Sequence, residues 1–311
     1  MTLGFVFPGQ GSQSVGMMSA YADLPVVRDT FEEASQLLGQ DLWSLVQNGP
    51  ADELNLTTNT QPAMLAAGVG VFRAWSAAGG APPRVMAGHS LGEYSALVAA
   101  GAIEFSDAAP LVRFRAQCMQ QAVPSGVGAM AAVLGLDDEG VRAACAQATR
   151  DGEVAEAANL NAPGQVVIAG HKSAVERAVA VSKAMGAKRA MLLPMSVPSH
   201  CSLMKPAAEQ LRQRLAAVPL YVPKISVLQN ADVTAVTSTE ALRQALIRQL
   251  VHPVRWVETI RAIAATGATH VVECGPGKVL AGLNKRIAPE VQSLSLSDGA
   301  AVHSAIKLSK S

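Results

Sequence analysis

This sequence has almost no net charge, few aromatic residues and no long apolar run. Its 25 Lys and Arg residues nearly balance 24 Asp and Glu residues, which gives a formal charge of +1 over 311 residues. A protein that binds nucleic acid through charge needs a basic excess, so we expect no nucleic-acid partner. Only 4% of the residues are aromatic and 16% are charged, the latter well below the roughly 25% of average soluble domains.

Membrane segments, a secretory signal and paired cysteines are lacking as well. The longest uncharged stretch, residues 116–136, contains three Gln residues, a Pro and several Gly residues, which a membrane-spanning helix would tolerate poorly. The first residues lack the charged and apolar regions of a signal peptide. We therefore expect no membrane association, a cytoplasmic location and reduced thiols at four widely spaced cysteines: Cys118, Cys145, Cys201 and Cys274.

Small apolar side chains are what the sequence has in abundance. Half of the residues are hydrophobic and 55 are alanine, a composition that suits helices packed closely on a sheet. A short apolar run, Leu3–Phe7, predicts a buried strand. Helical patterns follow at residues 26–38 and 61–77, and Val85–Ala87 predicts another strand. This alternation indicates an α/β fold.

The pattern changes near Gly128, where strands and helices are expected in the order β-α-β-β-α-β, at residues 130–136, 138–149, 154–160, 166–169, 173–185 and 189–195. That order is typical of ferredoxin-like units. Longer alternation of helices and strands resumes after Pro198. We predict an α/β fold whose larger domain, with a parallel sheet, spans residues 1–126 and 196–311. It is interrupted by a smaller ferredoxin-like α+β subdomain, residues 127–195. A ligand is expected at the carboxyl ends of the parallel strands or in the cleft between the units.

A serine motif lies between a predicted strand and a predicted helix. Gly88–Gly92 (G-H-S-L-G) matches G-x-S-x-G, the strand-to-helix turn that exposes a serine hydroxyl. In such a turn Ser90 is the nucleophile, and the N–H of Leu91 points at the oxyanion that forms when Ser90 attacks a carbonyl. The alternative is a glycine-rich turn with an incidental serine.

A serine nucleophile needs a base, for which the sequence offers six histidines. His200 is the preferred candidate because Val197–His200 (V-P-S-H) lies where the chain returns to the larger unit, and such loops line clefts. His252 is the second candidate, and either side chain could instead be a core histidine. The others are less suited: His89 is expected to point elsewhere, His171 to start a helix, His270 to begin a strand and His303 to lie in a frayed tail.

The group that would orient the base is left open by the residues themselves. Asp232 and Glu273 are candidate carboxylates, and a backbone carbonyl is the alternative. Arg113 and Arg115 lie on a predicted helix, and one of them could turn inward to bind a substrate carboxylate, although most helix arginines are solvated. No His, Cys, Asp or Glu group has metal-ligand spacing, so we expect no metal site.

Two glycine-rich segments of the sequence are candidate anion-binding loops. The backbone N–H groups of Gly9–Gly11 (G-Q-G) follow a strand and could supply half of an oxyanion hole or hold a phosphate, unless the loop is only a tight connection. Gly275–Lys278 (G-P-G-K) lacks the remaining residues of a Walker loop, so we reject a nucleotide site there.

Four ordered motifs give the chain a resemblance to a known family. They are Phe7–Gln13 (F-P-G-Q-G-S-Q), Gly88–Tyr94 (G-H-S-L-G-E-Y), Val197–His200 and Glu273–Gly277 (E-C-G-P-G). With them the chain resembles malonyl-CoA:acyl-carrier-protein transacylases from about Leu3 to Ile287. The resemblance also includes the segment at residues 159–165 (N-L-N-A-P-G-Q).

The resemblance implies roles for six residues. Ser90 would be acylated, His200 would be the base, and the N–H groups of Gln10 and Leu91 would form the oxyanion hole. Arg115, rather than Arg113, would bind the malonyl carboxylate. In this family a main-chain carbonyl replaces the acid of the triad, and here it would be that of Gln249.

The resemblance further implies that the larger α/β domain is hydrolase-like, and it implies the reaction and its partners. The enzyme would transfer malonyl groups from malonyl-CoA to the pantetheine thiol of acyl carrier protein, by a ping-pong route, for fatty acid biosynthesis. It would need no cofactor, since malonyl-CoA is a substrate, and we expect a monomer. A serine esterase or thioesterase, which passes the acyl group to water, and an inactive binding module are the alternatives that the residues leave open.

Overall fold

The computed structural model describes residues 1–150, 152–195 and 197–310. The predicted boundary at Ser196 and the final residue, Ser311, therefore lie outside the described residues. Nine strands are formed in the described part of the chain: β1 Leu3–Phe7, β2 Val85–Gly88, β3 Gly128–Leu134, β4 Ala155–Ala162, β5 Gln165–His171, β6 Arg189–Leu192, β7 Ser226–Leu228, β8 His270–Glu273 and β9 Gln292–Ser295.

Thirteen α-helices accompany the strands in the same described residues. They are α1 Pro25–Leu38, α2 Leu42–Asn48, α3 Ala51–Asn55, α4 Thr57–Ala77, α5 Gly92–Ala99, α6 Phe105–Gln121, α7 Asp138–Ala148, α8 Lys172–Ala184, α9 Lys205–Ala216, α10 Thr239–Val251, α11 Trp256–Ala265, α12 Val279–Ile287 and α13 Gly299–Lys310. None of the helices described is long and apolar enough to span a bilayer.

The larger sheet has five parallel strands in the order β7-β2-β1-β8-β9. All five residues of β1 are buried, as expected for a strand covered by helices on both faces. Phe5 and Phe7 face a core shared with α1, α4, α5 and α6, whereas Val6 faces a second core built on α11 and α12. The carboxyl ends of β1, β2 and β7 therefore meet at one edge of the sheet, where the candidate site lies.

The second sheet is antiparallel, with the strand order β4-β5-β3-β6. Helices α7 and α8 cover one face, around a core of small side chains that includes Ala131, Val141 and Val175. The opposite face contacts Cys201. This is the ferredoxin-like arrangement, and the predicted fold class, a parallel α/β sheet with a separate antiparallel α+β unit, is confirmed. The predicted domain boundaries stay a prediction.

Four elements were absent from the sequence prediction, and several predicted bounds shift by a few residues, as for β3, β6 and the start of α4. Helices α2, α3 and α13 and strand β9 were not predicted, and the tail expected to fray is α13, with Val302, Ala305 and Ile306 buried at helical spacing. Helix α4 begins at Thr57 rather than Gln61. Its first turns are rich in Thr and Asn, which disfavour helices in isolation, but here Asn59 and Thr60 donate side-chain hydrogen bonds to carbonyl groups at the end of α3.

Candidate active site

A sharp turn between β2 and α5 presents Ser90. Ser90 has a positive φ of 52°, a conformation that L residues rarely adopt. A Cβ atom on Gly88 would lie 1.8 Å from the backbone of Gly92, and one on Gly92 would lie 2.0 Å from Phe7 O. Both glycines are therefore required by close backbone approach. The motif thus forms the expected strand-to-helix elbow, at the carboxyl edge of the parallel sheet.

His200 lies directly against Ser90. Its Nε2 is 2.7 Å from Ser90 Oγ, and its Nδ1 is 2.8 Å from the main-chain oxygen of Gln249. The carbonyl accepts a hydrogen bond from Nδ1–H, which leaves Nε2 as the acceptor that faces the serine hydroxyl. His252, the second candidate, directly follows α10 and is exposed. The structure therefore brings Ser90, His200 and Gln249 together in one hydrogen-bonded line.

The two carboxylates considered as orienting groups bind elsewhere. Asp232 forms an ion pair with Arg248. Glu273 accepts hydrogen bonds from the backbone N–H groups of Leu280 and Ala281 at the start of α12. The imidazole of His200 is thus oriented by the carbonyl group of Gln249, and no carboxylate among the described residues contacts it.

Arg115 on α6 reaches the same serine, although its side chain is only 1% exposed. Its Nη2 donates to Ser90 Oγ at 3.3 Å and to Gln249 Oε1 at 2.9 Å, and its Nη1 donates to Gln61 Oε1 at 2.7 Å. The guanidinium carbon also lies 5.5 Å from the ring centre of Tyr94. Arg113, by contrast, donates to Gln40 and does not reach the serine.

Burial and charge together keep His200 neutral. Burial, together with the smaller effect of the nearby positive charge of Arg115, lowers the pKa of His200 from 6.5 to about 3. Burial also lowers the pKa of the Arg115 guanidinium. A neutral imidazole beside a serine hydroxyl can accept its proton, which a charged imidazolium cannot.

The loop after β1 packs against the elbow. A Cβ atom on Gly9 would lie 2.4 Å from His89 O and 3.5 Å from Leu91 N, so this position has room for glycine only. Among the described residues, neither Gln10 N–H nor Leu91 N–H has a hydrogen-bond acceptor. The side chain of Gln10 is bound by Thr57, whose hydroxyl donates a hydrogen bond to Gln10 Oε1 at 2.8 Å. Two backbone donors are thus available beside Ser90.

Comparison with known proteins gives the family. The family model described as "Acyl transferase domain" matches residues 4–296. The chain belongs to the acyl transferase domain family.

Individual relatives of this acyl transferase are similar over nearly their full length. It is 54% identical to "Malonyl CoA-acyl carrier protein transacylase" of Escherichia coli (strain K12), over 98% of both chains. The crystal structure of an acyl-carrier-protein S-malonyltransferase from Burkholderia pseudomallei 1710b is 60% identical, with a TM-score of 0.97 over 99% of this chain and all of that one. A malonyl-transacylase in complex with a type II polyketide synthase acyl-carrier protein is 50% identical, with a TM-score of 0.97 over the same shares.

Two polar residues of the acyl transferase site were missed by the sequence analysis. Gln61 holds the guanidinium of Arg115, and Asn230 holds the backbone on both sides of His89, at Gly88 O and Ser90 N. Asn230 could have been found, because it follows β7 closely, at the edge where ligands of parallel sheets bind. Gln61 gave no such signal, since it lies within a helix whose start was misplaced.

Strand β4 of the smaller sheet contacts both segments that carry the serine and the histidine. Asn161 Oδ1 lies 2.8 Å from Nε2 of His89, the residue before Ser90. Glu156 accepts hydrogen bonds from Ser202 N at 2.8 Å and from Ser202 Oγ at 2.6 Å, two residues after His200. The site of this acyl transferase is therefore built where the two sheets meet.

Cysteine and acidic side chains form no further cluster near the site. All four cysteines are buried and none forms a disulfide. Within residues 1–150, 152–195 and 197–310, no group of three or more His, Cys, Asp or Glu side chains could hold a metal ion.

Proposed function

We propose that this chain is a malonyl-CoA:acyl-carrier-protein S-malonyltransferase that carries the malonyl group on Ser90. One observation supports this assignment above the others: Ser90 Oγ lies within hydrogen-bond reach of both His200 Nε2, at 2.7 Å, and the buried Arg115 Nη2, at 3.3 Å. The reacting carbonyl and the carboxylate of a malonyl group are separated by a single methylene. A guanidinium beside the nucleophile therefore suits this acyl group.

In the first half-reaction, His200 acts as a general base toward Ser90. Nε2 takes the hydroxyl proton as Oγ attacks the thioester carbon of malonyl-CoA, and the carbonyl oxygen becomes an oxyanion. The N–H groups of Gln10 and Leu91 donate to that oxyanion, each contributing about 3 kcal/mol of transition-state stabilisation. The imidazolium of His200 is stabilised by the Gln249 carbonyl. Collapse of the tetrahedral intermediate breaks the C–S bond, and the coenzyme A sulfur leaves with the proton from His200.

The second half-reaction follows the same steps with a different thiol. The pantetheine thiol of acyl carrier protein gives its proton to His200 and attacks the ester carbon of malonyl-Ser90. The oxyanion again lies between the two backbone N–H groups. Collapse releases Ser90 Oγ, which takes the proton back from His200, and the product is malonyl-acyl carrier protein.

Arg115 selects for an acyl group that carries a carboxylate. A planar guanidinium binds a carboxylate through two parallel hydrogen bonds, and Arg115 is held in place by Gln61 and Gln249 on either side. An acetyl group would leave the charge of this buried side chain without a partner. The free energy of that unpaired charge is the basis for discrimination between malonyl and acetyl groups.

The relatives support acyl carrier protein as the acceptor of the malonyl group. Names of similar proteins and the complex of a similar malonyl-transacylase with its acyl-carrier protein support acyl carrier protein as the partner here. We further propose that the enzyme serves fatty acid biosynthesis, as a cytoplasmic monomer that consumes malonyl-CoA as a substrate and uses no cofactor.

Mass spectrometry of the intact protein tests the acyl-enzyme directly. After mixing with malonyl-CoA without an acceptor, the protein should gain one malonyl group, and peptide mapping should locate it on Ser90. Ser90→Ala should gain none. A malonyl group on another residue would overturn the assignment of the nucleophile. Rapid appearance of free malonate would favour a hydrolase, and the absence of any adduct would favour a binding module.

A further inference from the structure

The carboxamide of Asn230 bridges the two backbone groups that flank His89, where the chain enters the serine turn. Its Oδ1 accepts from Ser90 N–H at 2.7 Å, and its Nδ2 donates to Gly88 O at 2.6 Å. Asn230 follows β7, the strand that pairs with β2, and is only 1% exposed. A side chain 140 positions away in sequence thus supplies the hydrogen-bond partners of Ser90 N–H and Gly88 O.

Asn230 is itself held by its own backbone. Its N–H donates to Glu93 Oε2 at 2.7 Å, on the first turn of α5, and its carbonyl accepts from Arg255 N–H at 3.1 Å. The first bond joins the segment after β7 to α5, the helix that follows Ser90, and the second joins it to the residue before α11. The carboxamide is therefore fixed in orientation as well as in place.

The bond to Ser90 N–H has a consequence for the oxyanion hole. A nucleophile's own N–H can serve as an oxyanion donor in serine enzymes. Here Asn230 Oδ1 occupies that N–H, whereas Leu91 N–H has no acceptor among the described residues. Asn230 thereby directs the developing oxyanion toward Leu91 rather than toward Ser90 N–H.

We propose that Asn230 is a positioning residue for the acyl transfer reaction, which fixes the strained Ser90 backbone so that Oγ lies between His200 and Arg115. It touches neither substrate nor the reacting atoms, and it acts through the backbone of Ser90. The inference rests on the proposed role of Ser90 as the acylated nucleophile.

The decisive variant is Asn230→Asp, which keeps the shape and one acceptor but replaces the donor to Gly88 O. Where the introduced carboxyl group is ionised, a carboxylate would face that carbonyl, so we expect the rate of Ser90 acylation by malonyl-CoA to fall by roughly 100-fold in that pH range, with KM changed far less because Arg115 is untouched. Protonation at lower pH creates an O–H that can donate to Gly88 O again. The ratio of the variant's rate to that of the unchanged enzyme should therefore rise as pH falls.

The ratio of the two acylation rates at each pH cancels the titration of neighbouring groups that both proteins share. Those groups are His200, Glu93 on α5 and Arg115 on α6, whose charges interact, Asp232 on the loop after β7, Arg248 on α10 and Arg255 before α11. Burial raises the pKa of Glu93 to about 8, and the same burial raises the pKa of a carboxyl group introduced beside it.

Two further variants complete the test. Asn230→Ala should lose a similar factor in acylation rate and show no recovery at low pH. Asn284→Asp is the matched control, because Asn284 is an equally buried amide that accepts from Trp256 Nε1 at 3.2 Å, and its acylation rate should stay near that of the unchanged enzyme. Thermal unfolding at each pH shows that the variants are folded where rates are compared.

The results separate this inference from the proposed function. If Asn230→Ala acylates Ser90 at the unchanged rate, or if Asn230→Asp shows no acid recovery while folded, the positioning role is wrong although the proposed function stands. If the unchanged enzyme gains no malonyl group on Ser90, the proposed function fails first.

Discussion

Arg115 donates a hydrogen bond to Ser90 Oγ across 3.3 Å while its own side chain is almost completely buried. A permanent positive charge and a nucleophile thus share one small polar site. The charge lowers the pKa of His200, so the same residue that binds the substrate carboxylate also helps to keep the base unprotonated.

Replacing Arg115 should change acyl selectivity more than acyl transfer itself. In Arg115→Ala, kcat/KM for malonyl-CoA should fall by at least about 30-fold, because truncating a buried charged partner typically costs about 2–5 kcal/mol. The value for acetyl-CoA should change little. Arg113→Ala, on the same helix but bonded to Gln40, is the control and should leave both values unchanged. Equal losses for the two substrates in Arg115→Ala would contradict the carboxylate-binding role.

The side chain and the main chain of Gln249 should have separable effects. Gln249→Leu removes the acceptor for Arg115 and the donor to Ser90 O, but it leaves the carbonyl that orients His200. We expect a loss of about 10-fold in kcat/KM for malonyl-CoA, since an unsatisfied buried donor costs about 1–3 kcal/mol. The pH dependence of acylation should be preserved. A shifted acid limb in this variant would show that the side chain also controls His200.

Acylation should resist acid far more than a free histidine would allow. Burial and Arg115 lower the pKa of His200 to about 3, so the imidazole stays neutral as pH falls through 6.5 and is protonated only on approach to about 3. Rapid-quench rates should therefore be constant through 6.5 wherever the enzyme is folded. In Arg115→Ala, assayed with acetyl-CoA, the acid limb should move to higher pH because one cause of the lowering is gone. A limb near 6.5 in the unchanged enzyme would refute this interpretation.

The contact between Glu156 and Ser202 should matter to the position of His200. Glu156→Ala removes the acceptor of two hydrogen bonds that hold the segment after His200. We expect kcat to fall by roughly 10-fold with little change in KM, since small displacements of a base are costly. Glu156→Gln keeps one oxygen that can accept from Ser202 N–H and gains an N–H that can donate to Ser202 Oγ. This variant should therefore keep most of the kcat that Glu156→Ala loses. In a His200→Ala background, removing Glu156 should have no further effect on acylation, and a further drop there would point to a general structural role.

Local patterns explain which parts of the fold and site could be predicted from sequence. The apolar run of β1, the glycines at 88 and 92 and the β-α-β-β-α-β order of the smaller unit are each set by neighbouring residues, and the structure agrees with them. Helix α13 was missed because its few buried residues acquire their role only by packing against distant helices.

The polar contacts of the site required the tertiary fold. Asn230 and Ser90 are 140 positions apart, and Gln61 and Arg115 are 54 apart, so no local pattern joins them. The Gln249 carbonyl is a main-chain atom that any residue type supplies, and only the family resemblance indicated it. The choice between His200 and His252 was likewise left to position in the chain, whereas the structure separates them by burial and by the 2.7 Å contact with Ser90.

The fate of an isolated malonyl-enzyme tests the central claim most directly. The protein is loaded with labelled malonyl-CoA, freed of excess substrate and then mixed with holo-acyl carrier protein in a single turnover. We expect the label to leave Ser90 and appear on the pantetheine thiol of the carrier, with the enzyme returning to its original mass. Release of the label as free malonate, at the same rate with and without the carrier, would contradict the account.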